Sequence, residues 1–102
     1  MLVIDKTHNG GSANVTAGEP FRVELPENPT TGFTWHLQDT PTTRLLSDTS
    51  ATSGTEFGRG GMRQWTLEAT QAGSATLTME LRRGGQVQPS DTFQVTVNAR
   101  AR

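Results

Sequence analysis

Phe21-Arg22-Val23-Glu24-Leu25-Pro26-Glu27-Asn28-Pro29-Thr30-Thr31-Gly32-Phe33-Thr34-Trp35-His36-Leu37 decides the reading of the fold. Its first five residues alternate apolar and charged without a break. That is the two-residue period of a half-buried strand, with Phe21, Val23 and Leu25 inward. Pro26 is expected to end it. The last five residues alternate again, Phe33, Trp35 and Leu37 against Thr34 and His36, and predict a second strand. The segment between them is too long for a two-residue hairpin and too ordered in composition for a linker. Pro29 fixes its own φ and pushes Asn28 toward extended geometry. Gly32 permits a positive φ where the chain turns back. Thr30 and Thr31 are stiff at χ1 and carry small hydroxyls. The expectation is a rigid, uncharged, exposed loop held at its base by aromatics, which is a plausible shape for a binding tip.

The same period recurs along the chain. Residues 1–4 read as a first strand and His8-Asn9-Gly10-Gly11 as a turn. Residues 13–17 read as a short strand. Residues 39–61 carry little apolar pattern beyond Leu45-Leu46. One or two short edge strands and a long loop are expected there, with Gly58-Arg59-Gly60-Gly61 as a second loop tip. In residues 62–69, Arg63, Trp65, Leu67 and Ala69 share one face, and Trp65 and Leu67 are expected inward. Residues 75–81 form a long strand. Residues 82–91 form a third loop with Gly84-Gly85 and Pro89. Phe93, Val95 and Val97 line the last strand. No helical period appears. The fold expected is an all-β, immunoglobulin-like antiparallel β-sandwich of about seven to eight strands, one domain over residues 1–102. Alternate loops of such a sandwich lie at one end, so the three glycine-bearing loops are expected to cluster.

Composition narrows the function. In 102 residues, 31% are hydrophobic and the formal net charge is -1, so no global charge draws the chain to nucleic acid. No apolar run reaches the ~18 residues needed to cross a bilayer. No leader is visible, although a mature secreted form would look the same, so the compartment stays open. There is no cysteine, which removes disulfides, thiolate metal sites and a cysteine nucleophile. No paired-histidine spacing suggests a metal, no nucleophile motif surrounds a serine, and no cofactor is expected. Nothing demands an oligomer, and a monomer is expected.

Asn28-Pro29-Thr30-Thr31-Gly32-Phe33 followed by Trp35, then Gly58-Arg59-Gly60-Gly61 leading into a strand, resemble the first two loop motifs of the chagasin-type inhibitors of papain-like cysteine proteases. The resemblance runs through nearly the whole chain, with Leu77-Thr78 and Phe93-Gln94-Val95-Thr96-Val97 in place of the last two strands. The family's third motif is Arg-Pro-Trp. Here the corresponding residues are Leu81-Arg82-Arg83 or Arg83-Gly84-Gly85, and neither register supplies Pro or Trp. The resemblance implies a reversible inhibitor that is not an enzyme, with three loops entering a protease cleft as a wedge. It further implies that Thr31 makes the nearest approach to the catalytic cysteine and that Gly60 and Gly61 admit close backbone contact. Arg82 or Arg83 then meets the opposite wall. Two other readings remain open: a binding module of the same fold that has drifted to another protein partner, and a carbohydrate-binding or structural β-domain.

Overall fold

A computed structural model describes the chain except for residues 28–31, 53–60 and 86. It is a sandwich of two four-stranded sheets. The strands are β1 (Val3–Ile4), β2 (Ser12–Thr16), β3 (Phe21–Glu27), β4 (Phe33–Leu37), β5 (Thr43–Thr52), β6 (Gly61–Ala69), β7 (Gly73–Arg83) and β8 (Asp91–Arg100). One sheet has the order β1-β3-β6-β5 and the other β2-β8-β7-β4. The pairings β3–β6, β5–β6, β4–β7 and β7–β8 are antiparallel, as expected. The two leading strands differ, for β1 lies parallel to β3 and β2 parallel to β8. A single 3₁₀ turn, Lys6–His8, carries the chain from one sheet to the other between them.

The core is the inner face that the alternation specifies. Phe21, Val23 and Leu25 of β3 and Trp65, Leu67 and Ala69 of β6 meet Leu77 and Met79 of β7 and Phe93, Val95 and Val97 of β8. Each large side chain removed from water here contributes about 1.5–3 kcal/mol before the entropy of ordering it is counted.

Two segments depart from the sequence reading, each for a local reason. Pro26 does not end β3, which runs on to Glu27. The Arg22 amide donates to the carbonyl of Leu2, just before β1, so the amides of residues 22, 24 and 26 face that side. β1 stops at Ile4, opposite Val23, so a proline at 26 removes no ladder bond. The weakly patterned segment is a single ten-residue edge strand, β5, and not one or two short ones. Its register slips between Leu45 and Ser47, with Leu46 as the extra residue of a bulge. Before the bulge the inward positions are odd-numbered; after it they are even-numbered. A strand that changes phase midway shows no steady alternation.

Candidate functional site

The registers place the described bases of all three long loops at one end. Glu27, the last residue of β3, is paired with Gly61, the first of β6. Gly61 is also paired with Thr52, the last of β5. On the other sheet Phe33, the first residue of β4, is paired with Arg83, the last of β7. Leu81 is paired with Asp91, the first of β8. The segments 28–32, 53–60 and 84–90 therefore all leave from and return to the same pole.

Of the expected site residues, Gly32, Phe33, Gly61, Arg82 and Arg83 are described. Asn28, Pro29, Thr30, Thr31, Gly58, Arg59 and Gly60 lie outside the described residues. Gly32 has φ +80°, the left-handed conformation the reading of the first loop calls for. The Arg83 guanidinium lies over the Phe33 ring, 5.8 Å from its centroid. A Cβ on Gly32 would sit 3.7 Å from Arg83 Nε. The end of β7 thus packs against the first loop's return. Arg82 is half-buried and alternates to the outer face of its sheet, where it forms an ion pair with Glu80. Arg82 and Arg83 are thus divided between two faces, and Arg83, packed on Phe33, is the one at the loop pole.

Beside the described bases of the first loop lies a polar cluster that sequence reading did not identify. Glu27 is only 8% exposed. Its Oε2 accepts the Trp35 amide at 2.8 Å and Arg63 Nη1 at 3.2 Å, and its Oε1 accepts the Ser50 hydroxyl at 3.3 Å. Arg63 also grips Asp48 with two bonds, Nε to Oδ1 at 2.5 Å and Nη2 to Oδ2 at 2.8 Å. Those Asp48 bonds hold the Arg63 pKa above its ordinary value against the opposing effect of burial. The guanidinium sits 5.5 Å from the Trp65 ring centroid. Trp35 is buried and ties the sheets a second time, donating Nε1–H to the Pro26 carbonyl at 2.9 Å.

A signal for this cluster was present. Glu27 continues the inward phase of Phe21, Val23 and Leu25, and Arg63 that of Trp65 and Leu67. A carboxylate and a guanidinium in core phase at the same end of paired strands predict each other. Their partners Asp48 and Ser50 were not legible, because only the Leu46 bulge turns those positions inward. A second feature passed over is Val87, an apolar residue of the third loop that is 81% exposed.

An eight-stranded sandwich whose described strand ends bring the bases of three loops to one pole is an immunoglobulin-like, loop-presenting domain. A family model for the chagasin family peptidase inhibitor I42 matches residues 14–97, and the chain belongs to that family. Among curated relatives, chagasin of Trypanosoma cruzi is 46% identical over 35 residues, which are 34% of this chain and 32% of that protein. The match thus spans about a third of that relative's length. Among solved structures, the cysteine protease inhibitor EhICP2 from Entamoeba histolytica superposes with a TM-score of 0.85 at 19% identity, over 97% of this chain and 95% of that one. PbICP-C, solved in complex with falcipain-2, superposes with a TM-score of 0.62 at 14% identity, over 96% of this chain and 89% of that one. At these identities the likeness is one of fold.

Proposed function

We propose that this chain is a reversible protein inhibitor of papain-like cysteine proteases, has no catalytic activity of its own, and blocks the active-site cleft with the loops of one pole. The observation that carries the reading is the convergence of the three loop bases, combined with the Asn28-Pro29-Thr30-Thr31-Gly32 and Gly58-Arg59-Gly60-Gly61 motifs on two of those loops. Family membership and the complex of PbICP-C with falcipain-2 point the same way.

The chemistry is that of a preformed plug. Thr30 and Thr31 bring hydroxyls and backbone groups into a closed cleft without a charge whose desolvation would oppose binding. Gly60 and Gly61 allow backbone to meet backbone, so that main-chain hydrogen bonds form as they do when a strand is added. The third loop lacks the family's Pro and Trp, and Arg83 at the end of β7 with the exposed Val87 are the side chains offered there instead. A loop already ordered at its base loses less entropy on binding, about 0.5–1.5 kcal/mol for each side chain not newly immobilised.

Titration of papain with the chain tests this. Activity is expected to fall to zero near one equivalent. Thr31→Arg is expected to raise the inhibition constant on the order of tenfold or more, since it drives a charge into the closed cleft. Full papain activity in the presence of folded protein contradicts the proposal. An unchanged constant for the variant removes Thr31 from the contact.

A further inference from the structure

Glu27 lies at the outermost inward position of β3, and Arg63 at the inward position next to the end of β6, paired with Leu25, where the strand period calls for apolar residues. The described partners of Glu27 come from three other strands: the Trp35 amide of β4, Ser50 of β5 and Arg63 of β6. One of these, β4, belongs to the opposite sheet. The Trp35 amide has no ladder partner of its own. The Gln38 amide donates to Thr78 of β7, so the even-numbered amides of β4 face β7 and the Trp35 amide faces away from it. The carboxylate supplies the acceptor that a buried donor requires.

A buried ion pair is not a means of gaining stability, for apolar residues of similar volume commonly serve as well or better. What apolar contact lacks is direction. Hydrogen bonds from one carboxylate to three strands fix both the separation of the sheets and the angle at which the chain leaves them. Glu27 is followed directly by Asn28. Trp35 stands two residues after the first loop returns at Phe33. Arg63 stands two residues after the second loop returns at Gly61, and Ser50 and Asp48 lie on the strand that leads into that loop.

We propose that Glu27 and Arg63 are positioning residues for inhibition: their ion pair with Asp48, bonded to the Trp35 amide, sets the relative placement of the first and second loops. The proposal rests on the inhibitor reading above and adds to it a determinant outside the contact surface. It separates inhibitory strength from stability, which a merely structural role does not.

The test compares the double variant Glu27→Leu/Arg63→Met and the single variant Arg63→Lys with the unaltered chain. The double variant exchanges the pair for apolar residues of similar size. Because the Trp35 amide loses its acceptor while apolar packing offsets part of that loss, its thermal midpoint is expected to fall no further than that of Val15→Ala, while its inhibition constant for papain rises tenfold or more. Arg63→Lys keeps the charge but loses the fork that holds Asp48 and Glu27 together, and is expected to weaken inhibition severalfold. Val15→Ala, a core truncation on β2 far from the loop pole, is expected to lower the midpoint and leave the inhibition constant unchanged. Should the double variant not fold, Arg63→Lys against Val15→Ala decides the matter. Wild-type inhibition by folded Arg63→Lys or by the folded double variant overturns the proposal. If the unaltered chain fails to inhibit papain, it is the inhibitor reading that falls. Hydrogen exchange in the free protein then judges the positioning role: the Trp35 and Gly61 amides are expected to exchange at least tenfold faster in the double variant, and unchanged rates overturn it.

Discussion

Gly32 shows how much a single backbone angle carries. Its φ of +80° lies where an L side chain is strained, yet the space around it is adequate, since the nearest atoms to a built Cβ are Arg83 Nε at 3.7 Å and Cγ at 3.8 Å. The cost of Gly32→Ala therefore comes from the conformation and not from a clash. We expect a loss of about 1–2 kcal/mol, read as a lower urea midpoint at unchanged slope. An unchanged midpoint would mean that the first loop returns by another conformation. Trp35 was legible at this scale as an anchor, because an aromatic in strand phase beside a loop belongs to the core. Its two hydrogen bonds were not legible. They depend on Glu27 and Pro26, which lie in the facing sheet, and no spacing along the chain reports what lies across a sandwich.

At the scale of the element, the lesson is in β5. Strands that keep one phase, such as β3, β6, β7 and β8, were readable from alternation. β5 was not, since the Leu46 bulge reverses its phase. The bulge has a use: it turns Asp48 and Ser50 toward Arg63 and Glu27, whereas an unbroken strand would turn Ser47 and Thr49 there. Deletion of Leu46 would leave Ser47 opposite Thr66 and Asp48 opposite Trp65 in plain alternation, so the Arg63–Asp48 bonds are expected to survive it. Asp48→Ala, which removes both bonds to Arg63, is expected to lower the melting temperature by several degrees. Leu46→Ser keeps the residue count at an exposed site and should shift stability by no more than about 0.5 kcal/mol. Equal melting temperatures for Asp48→Ala and Leu46→Ser would show that turning Asp48 inward does not matter. Pro26 makes the same point more gently. A proline demotes a strand only where its missing amide is needed, and beyond the end of β1 it is not.

For the whole molecule, counting strands was enough to place the three loops at one pole, because consecutive long strands run in opposite directions. The parallel docking of β1 and β2 does not disturb that count, for those strands flank the sandwich and precede the loops. The opposite pole is closed by short connections bonded to their neighbours, with the Gly18 amide on the Ala69 carbonyl and the Thr70 amide on Thr42. One pole is thus tied off, and at the other the described loop bases stand on a polar frame of Glu27, Asp48 and Arg63. Under the inhibitor reading proposed above, this asymmetry makes the loop pole the end that meets the protease. Amide hydrogen exchange with and without papain carrying alanine in place of its catalytic cysteine tests this most directly. Slowing is predicted at Gly32, Phe33, Gly61 and Arg83, with residues 17–20, 38–42 and 70–72 unaffected. Slowing at those distant turns, or none at the loop pole of the folded chain, would contradict the account.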